Sequence, residues 1–358
     1  MPSVNRAILA SAGSGKTSSV VDAACRDSDA RSALITYTLN GRGELLNKAY
    51  EIFGAVPPNV SIGTWYSFVL THLVRPYQNH LYEPRINDIN FNRIPSELRR
   101  IRKANTKSYF FSSPGRIWRD RVTDFACQII DKTDGLPLRR IEQLFSRIYI
   151  DEAQDLSGWD LDLVENLLNS DVDIVLVGDH RQATYSTNDN PKNRAFSGEK
   201  IINKFLQWEE AGLVSIEHQS HSYRCVQAIC DFADLFFPDC PKATSKNNIE
   251  TDHDGVFLVK EGDLKRYIDL FSPQPLRYDR RKSVPYGKPL NFGEAKGMSF
   301  ERVLIYPHRP FQKYLQTGRL SNAGKALAKS YVAVTRARQS VGIVVSDDFE
   351  SPMLPFFK

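Results

Sequence analysis

The chain is poor in cysteine and methionine, and it contains no long apolar run. Its 358 residues include five cysteines and three methionines. An odd number of cysteines in a chain of this length argues against the disulfide framework of a secreted domain. The spacing of Cys225, Cys230 and Cys240 fits none of the usual zinc patterns. No stretch has the apolar length of a membrane span, and the N-terminus lacks the layout of a signal peptide. We therefore expect a cytoplasmic protein with no membrane partner.

Charge of either sign is not in large excess. Lysine and arginine total 47 against 42 aspartates and glutamates, which leaves a net charge of +5. A mildly basic chain suits a polyanionic partner but does not require one. The densest basic runs are Leu98–Lys107 and Leu276–Lys282, and a run of this kind is more often a solvated face than a binding site.

The most informative stretch of the N-terminal half is AILASAGSGKTSSVVDAA, which begins at Ala7. A short apolar run ends in a loop of small residues, and Gly15, Lys16 and Thr17 then open a segment with helical spacing. Backbone N–H groups of such a loop can surround phosphate oxygens, and the helix N-terminus adds its positive end. Lys16 is then expected at the β- and γ-phosphates of a nucleotide and the Thr17 hydroxyl on Mg²⁺.

Two further strand ends carry the side chains that phosphate-anhydride hydrolysis needs. RIYIDEAQD, from Arg147 to Asp155, places Asp151 and Glu152 after an apolar strand. Asp151 is expected to hold Mg²⁺ and Glu152 to polarise the attacking water as general base. DIVLVGDHRQATY, from Asp173, ends another strand and carries Gln182, whose amide can sense the γ-phosphate.

Taken together, these motifs resemble those of superfamily 1 helicases of the UvrD/Rep type. The resemblance covers nearly the whole chain and rests on eight segments in family order: ASAGSGKT, ITYTLNGRGEL, GTWYSF, IDEAQD, VGDHRQATY, HSYRC, EAKGMSF and YVAVTRAR. Only 72 residues separate Arg224 from Lys296, so the large second insertion of the family is missing and the form is compact.

The resemblance implies an α/β fold in which two RecA-like P-loop lobes with parallel sheets hold ATP and Mg²⁺ between them. Lobe 1 is expected over residues 1–70 and 140–195, a small, mostly helical, basic insertion over 71–139, and lobe 2 over 196–358. The implied catalytic residues are Asp151, Glu152, Gln182, Arg224 and Arg336, the two arginines reaching the γ-phosphate. The implied nucleotide-binding residues are Ala12, Gly13, Ser14, Gly15, Lys16, Thr17, Tyr223 and Gly297, with Tyr223 stacked on adenine and Thr17 and Asp151 on the metal.

The resemblance also implies a grip on single-stranded DNA that does not depend on sequence. Phosphates would be bound by Thr36, Thr38 and Thr64, and bases would stack on Tyr37, Trp65, Tyr66 and Tyr185. Core packing is the alternative for each aromatic ring and is as well supported for Trp65. After Tyr185 the chain lacks the aromatic–Arg–Gly segment of the family, and Ser299 stands where the family has glutamate.

Two functions follow from the resemblance. The first is an ATP-dependent translocase or helicase on single-stranded DNA or a DNA junction, moving 3′ to 5′, in repair, phage replication or antiviral defence. The second is a nucleotide-gated, DNA-sensing ATPase subunit that controls a protein partner such as a nuclease of a phage-defence system and unwinds little by itself. The apolar segment PMLPFFK could dock such a partner, although a segment folded onto lobe 2 is the favoured interpretation.

Overall fold

The computed structural model describes residues 5–358, which fold into two compact units. The first unit comprises the chain up to Leu9, Lys16–His180 and Tyr185–Glu217. The second comprises Ala10–Gly15, Arg181–Thr184 and His218–Lys358. The lobe boundaries expected from the resemblance remain a prediction.

The first unit is built on a largely parallel sheet with helices on both faces. Its strands and those of the inserted segment are, in chain order, β1 (Arg6–Ala10), β2 (Ser32–Thr36), β3 (Val60–Thr64), β4 (Asp88–Asn90), β5 (Phe111–Ser113), β6 (Arg116–Trp118), β7 (Arg147–Ile150), β8 (Asp173–Gly178) and β9 (Ser215–Gln219). The helices are α1 (Lys16–Arg26), α2 (Leu39–Phe53), α3 (Trp65–Phe68), α4 (Thr106–Phe110), α5 (Val122–Lys132), α6 (Leu136–Leu144), α7 (Trp159–Leu168) and α8 (Ile201–Glu210).

The sheet has the strand order β3-β2-β7-β8-β1-β9, and the pairs from β3 to β1 are parallel. Parallel strands covered on both faces read as continuous apolar runs, and all five residues of β2 are accordingly buried. Val21 of α1 and Leu45 of α2 pack on one face, whereas α5 and α7 contribute to the larger core on the other. The α/β class with parallel sheets is thereby confirmed.

The inserted segment also contains a small sheet. Strands β4, β6 and β5 form it, with β4 parallel and β5 antiparallel to β6. Aromatic side chains hold it together: the rings of Tyr82 and Phe111 stack with centroids 3.9 Å apart, and Phe110 packs edge-on against Phe125.

The second unit has its own parallel sheet and core. Its strands are β10 (His221–Ser222), β11 (Thr244–Ser245), β12 (Gly255–Lys260), β13 (Gln274–Arg277), β14 (Leu290–Asn291), β15 (Phe300–Tyr306) and β16 (Ala337–Val345). Its helices are α9 (Gln227–Asp234), α10 (Leu264–Phe271), α11 (Arg309–Thr317) and α12 (Leu327–Val334). The order β12-β16-β15-β13-β14 is parallel throughout, and β10 pairs in parallel with β11.

The C-terminal segment folds onto this second sheet. The Leu258 backbone N–H donates to the carbonyl of Pro355 over 2.9 Å, and the Phe357 N–H donates to the carbonyl of Leu258 over 2.8 Å. The Phe357 ring packs edge-on against Tyr267, with centroids 5.0 Å apart. These contacts confirm the favoured interpretation of PMLPFFK. Between residues 5 and 358, the helices are all too short or too polar to cross a membrane.

Parallel strands in the first unit bring the predicted site residues to one edge of the sheet, because the carboxyl ends of such strands lie side by side. Asp151 follows β7, Asp179 follows β8, and Thr36 and Thr64 end β2 and β3. At the same end of β1 the chain enters residues 10–15, called the glycine loop below.

Candidate nucleotide and nucleic-acid sites

The glycine loop is tightly curved and held by residues of the second unit. Gly13 and Gly15 have φ angles of 75° and 79°, a region that favours glycine. A Cβ on Gly13 would lie 2.5 Å from the Cβ of Arg224. The Ser222 hydroxyl donates a 2.7 Å hydrogen bond to the carbonyl of Ala12. Any larger residue at position 13 would therefore force the loop away from these neighbours.

The loop has the features that a phosphate group requires. The Ser14 hydroxyl is buried and has no hydrogen-bond partner among the described residues. Lys16 is half-buried and opens α1, whose N-terminus presents unpaired backbone N–H groups. A buried hydroxyl without a partner, two residues before a lysine that opens a helix, fits a bound phosphate oxygen.

In the first unit, Thr17 and Asp151 lie in contact as a metal site would need. The Thr17 hydroxyl donates to Asp151 Oδ2 over 3.3 Å. Burial and the neighbouring Glu152 carboxylate raise the pKa of Asp151 to about 7, although the Lys16 ammonium opposes both effects. A cation beside two carboxylates relieves this repulsion, so the residues fit Mg²⁺.

Glu152 occupies an uncommon backbone conformation for a side chain of its type. Its φ and ψ are 57° and 36°, in the left-handed region. Such values cost free energy and persist where the surroundings enforce them. The Glu152 backbone N–H donates to Asp151 Oδ1 over 2.9 Å, and the Gln154 amide donates to the Glu152 carboxylate. Each carboxylate is thus held by a hydrogen bond of its own.

Gln154 is a positioning residue that the sequence motifs did not mark. It is buried, and its Oε1 accepts a 3.0 Å hydrogen bond from the backbone N–H of Asp179. A Cβ on Gly178 would collide with this oxygen. Gln154 therefore links the carboxylates after β7 to the end of β8. The signal in the sequence was a glutamine two residues after a catalytic-type carboxylate, facing a glycine that ends a strand.

In the second unit, the predicted sensor and the predicted arginine donor are hydrogen-bonded to each other. Arg336 Nη2 donates to Gln182 Oε1 over 3.0 Å, and its Nε donates to the carbonyl of Val332 over 3.0 Å. Its Nη1 donates to the carbonyl of Met298 over 3.2 Å. The side chain is 1% exposed. Because these acceptors satisfy its N–H groups, the Arg336 guanidinium can be buried just before β16 begins.

Arg224, Tyr223 and Gly297 belong to the same unit as Arg336. Arg224 Nη1 donates to the carbonyl of Thr335, next to Arg336, over 3.2 Å. Tyr223 is 60% exposed, and its ring lies 3.9 Å from where a Cβ on Gly15 would be. An exposed ring beside the glycine loop suits stacking on a base. Gly297 has a φ of 87° in the exposed turn that carries the Met298 carbonyl.

Arg181 is a second buried charge that the sequence motifs did not reveal. It donates to the Ser11 hydroxyl over 3.0 Å and lies 3.5 Å from Asp234 Oδ1. Its guanidinium also lies over the ring of Tyr331, 4.9 Å from the centroid. Arg181 therefore braces the glycine loop from within the second unit. Its partners are distant in sequence, which is why no local pattern marked it.

The threonines predicted to bind DNA phosphates have structural roles in the first unit. Thr36 is buried at the end of β2. Thr38 caps α2, its hydroxyl accepting from the Gly41 N–H over 2.9 Å, and Thr64 caps α3, accepting from the Ser67 N–H over 3.4 Å. Helix N-termini bind anions well, so Thr38 and Thr64 stay compatible with phosphate contact, whereas the burial of Thr36 favours a core role.

The aromatic candidates separate into buried and exposed rings. Trp65 is 1% exposed and its Nε1 donates to Asp160 Oδ1 over 3.1 Å. Tyr66 is also buried, and its hydroxyl and that of Tyr37 both donate to the carbonyl of Thr187. This burial favours core packing for Trp65 and Tyr66. Tyr185 is 49% exposed, so its ring is available for stacking.

Comparison with known proteins gives one family match. Residues 118–190 match the family described as the UvrD/REP helicase N-terminal domain. No curated protein has significant sequence similarity to the chain.

The solved structures that match this chain include viral helicases. The PRRSV helicase is 14% identical with a TM-score of 0.47, over 95% of this chain and 52% of that chain. Arterivirus nonstructural protein 10 (helicase) is 14% identical with a TM-score of 0.48, both in its own crystal structure and in its complex with DNA, over 96% of this chain and 60% of that chain. The chain thus spans only about half to three-fifths of their length.

The matched residues 118–190 include IDEAQD and VGDHRQATY, two of the segments on which the resemblance was based. They therefore contain Asp151, Glu152 and Gln182, whose surroundings are described above. The match bears out the predicted resemblance at residues 118–190, which are similar to the UvrD/REP helicase N-terminal domain.

Proposed function

We propose that the chain hydrolyses ATP with Mg²⁺ and couples the hydrolysis to movement along single-stranded DNA in the 3′ to 5′ direction. The observation that carries the proposal is the hydrogen bond from Arg336 to Gln182. In nucleotide hydrolases an arginine can stabilise the charge of the transition state and a glutamine can orient the attacking water. A hydrogen bond between two buried side chains of these types supports the proposal.

The first unit supplies the groups for water activation. Lys16 neutralises the β- and γ-phosphates, and Thr17 and Asp151 hold the metal, which draws charge from the phosphate oxygens when it is bound. Glu152 orients the attacking water and accepts its proton. Gln154 keeps the Glu152 carboxylate in place, and its contact with the Asp179 N–H supports that role.

The second unit supplies the groups that recognise the nucleotide and its γ-phosphate. Tyr223 stacks on adenine, and the glycine loop with Gly297 shapes the site. Arg224 and Arg336 bind phosphate oxygens through planar guanidinium groups, which stay charged at all relevant pH values. Gln182 and the γ-phosphate both accept hydrogen bonds from Arg336. The contact of Gln182 with Arg336 therefore changes when the γ-phosphate is lost.

The DNA contacts of this proposal follow the carboxyl ends of β2, β3 and β8. Tyr185 stacks on a base, Tyr37 offers a second ring at the edge of the core, and the capped N-termini of α2 and α3 receive phosphates through Thr38 and Thr64. Stacking and phosphate contacts of this kind bind any sequence.

A second candidate function is a nucleotide-gated ATPase subunit that senses DNA and controls a protein partner, such as a nuclease. The burial of Trp65 and Tyr66 favours this second function, because two of the rings predicted to stack on bases are then not accessible to single-stranded DNA. On this proposal hydrolysis continues with weak coupling to DNA, and unwinding is slight.

The test is the steady-state ATPase rate of the purified chain with and without a poly-thymidine oligonucleotide, alongside Glu152→Gln. Strong stimulation that disappears in the variant supports a DNA motor, and labelled strands with one blocked end then give the direction of travel. An appreciable rate that does not respond to DNA supports the subunit function. A rate that is equal in wild type and Glu152→Gln contradicts both.

A further inference from the structure

The first unit contains a cavity of about 630 Å³ that shares no residue with the nucleotide and DNA sites proposed above. Its wall comes from the inserted segment and from the loop at 186–197, which follows Tyr185. The charged residues of the wall are Arg93, Arg99, Arg121, Arg194, Asp120 and Asp189.

The two carboxylates of the cavity are already neutralised. Arg119, which stands outside the wall, places Nη2 2.7 Å from Asp120 Oδ1 and 3.5 Å from Asp189 Oδ2. Arg93 Nε lies 3.5 Å from the same Asp189 oxygen. The ion pairs of Asp120 and Asp189 are thus with Arg119 and Arg93, and not with the other arginines of the wall.

Arg121 is the buried charge of this cavity. It is 4% exposed, and its guanidinium lies over the ring of Tyr109, 3.5 Å from the centroid. One terminal nitrogen donates to the Tyr109 carbonyl and the other to the carbonyl of Leu98 over 3.5 Å. Its Nε is buried and has no hydrogen-bond partner in the described chain. Burying a cation with an unmet donor is costly unless an anion is close.

Arg99 and Arg194 add two exposed guanidinium groups. The Nε of Arg99 donates to the carbonyl of Ile94 over 3.0 Å, which fixes the side chain. For Arg194, no carboxylate of residues 5–358 lies within ion-pair distance. Burial lowers the pKa of Arg121, although the charges of Asp124 and Asp120 raise it, and none of the three arginines forms an ion pair with a carboxylate of residues 5–358. Three such arginines around one cavity match the doubly charged oxygens of a phosphate monoester, which arginine binds through paired N–H groups.

The volume and the remaining wall suit one nucleotide. Pockets for small ligands measure roughly 300–1,000 Å³, and this cavity lies within that range. Ser186 and Asn190 offer polar groups, and Pro191 offers an apolar surface for a base or sugar. A longer strand would not fit inside.

We propose that this cavity binds a nucleotide carrying a phosphate monoester, either the phosphorylated end of a strand or a free mononucleotide. The strand-end source rests on the proposed DNA function, whereas the mononucleotide source does not. The cavity shares no residue with the glycine loop, so on this proposal the chain recognises phosphate through two different sets of residues.

The experiment measures binding of the full chain to thymidine oligonucleotides of equal length carrying a 5′-phosphate, a 3′-phosphate or neither, at one fixed salt concentration. Competition by thymidine monophosphate is measured in parallel. We expect one phosphorylated form, or the mononucleotide, to bind about tenfold more tightly than the form without a terminal phosphate. Arg194→Gln should remove that difference. Because Arg194 is exposed, the variant should fold, and thermal unfolding checks this.

Arg139→Gln is the matched control, since Arg139 is an exposed arginine of the same unit outside the cavity. Equal binding of all three oligonucleotides without competition by the mononucleotide would overturn the proposal. So would an Arg194→Gln variant that weakens phosphorylated and unphosphorylated strands by the same factor, because the arginine would then contact the backbone. DNA-stimulated ATPase activity, measured on the same samples, reports separately on the proposed function.

Discussion

Arg336 shows how a single charged residue can be kept inside the second unit. Its three nitrogens donate to the carbonyls of Val332 and Met298, to Gln182 and to the Thr335 hydroxyl. A buried charge with this many acceptors is stable, but it is also fixed in direction. Replacing Arg336 by lysine therefore tests the geometry of the guanidinium, because the charge is kept.

We expect Arg336→Lys to retain ATP binding and to lower the turnover number by about 10³-fold, the lower end of the range for arginine fingers. Lysine keeps the charge but cannot hold a phosphate oxygen and Gln182 with one planar group. Binding of a fluorescent ATP analogue and steady-state ATPase give the two readouts. Unchanged turnover, or lost binding in a folded variant, would exclude the arginine-donor role.

Asp160 is a second residue whose burial has a measurable consequence. Burial raises the pKa of this carboxyl group to about 6, although hydrogen bonds from Thr187 and Trp65 lower it. An unfolded aspartate titrates near pH 4. The folded chain therefore binds the proton more tightly, and the stability that the protonated group contributes is lost as the pH rises from about 4 through 6.

Asp160→Asn should consequently remove about 2 kcal/mol of the fall in unfolding free energy between pH 4.5 and 7.5. Each pKa unit corresponds to about 1.4 kcal/mol over the full titration, and part of the titration lies below pH 4.5. Asparagine keeps the acceptor for Trp65 Nε1. Denaturant unfolding of both proteins at the two pH values gives the difference. Parallel pH profiles would show that Asp160 is ionised throughout in the folded chain.

At the scale of elements, the helices that follow β2 and β3 start with threonine caps. The Thr38 hydroxyl meets the Gly41 N–H and thereby satisfies one of the four N–H groups that a helix leaves open. The same hydroxyl is a candidate DNA contact. A single substitution at Thr38 would therefore change helix stability and DNA affinity together, and a second substitution is needed to separate them.

Thr38→Ala should lower the unfolding free energy by about 1 kcal/mol, and Thr38→Asp should restore it, because aspartate caps a helix equally well. DNA affinity measured on both variants separates the roles, since a carboxylate repels phosphate. A loss of affinity in both variants supports a phosphate contact at Thr38. If Thr38→Asp has the affinity of the wild type, Thr38 is only a cap.

The link from β7 to β8 through Gln154 makes a prediction about Gly178. A methyl group there would collide with Gln154 Oε1 and lie 3.1 Å from the Gln154 backbone nitrogen, so Gln154 has to move. We expect Gly178→Ala to cost about 1–3 kcal/mol of stability and to lower ATP turnover by releasing the Glu152 carboxylate. Calorimetry and ATPase assays measure both. Full activity in Gly178→Ala would show that Glu152 needs no such support.

Elements with strong patterns could be predicted from the sequence, and those without could not. The apolar runs before Gly13, Asp151 and Asp179 became β1, β7 and β8 as expected. The three-residue strands β4, β5 and β6 are too short to show alternation, so the small sheet in the inserted segment was missed. Arg181 and Gln154 were missed because their partners are set by the folded chain.

For the molecule as a whole, the chain is interleaved between its two units. It changes unit on both sides of the glycine loop and again around residues 181–184. Two of the segments predicted to meet phosphate, the glycine loop and the segment that contains Gln182, are thus the ones at which the chain leaves one unit for the other. A substitution that tests the stability of one unit should therefore lie far from the residues at which the chain passes between units, so that it leaves the predicted phosphate site unchanged.

The C-terminal segment offers such a change. Removing residues 355–358 deletes two backbone hydrogen bonds to Leu258 and the Phe357 ring, and we expect a loss of about 2–4 kcal/mol in the second unit. Removing Lys358 alone is the control and should have no effect. Thermal unfolding of both proteins measures the difference. Equal stability would mean that the segment is only loosely attached.

The bond between Arg336 and Gln182 has one more consequence if the proposed chemistry holds. A phosphate oxygen that takes the N–H now donated to Gln182 would replace that acceptor, so its arrival would be an exchange and not an addition. The free energy gained is then the difference between a hydrogen bond to a charged phosphate oxygen and one to a neutral amide oxygen, which is less than the full strength of the bond to phosphate. Gln182 would take back its donor as the phosphate departs, so the buried guanidinium would keep an acceptor before and after turnover.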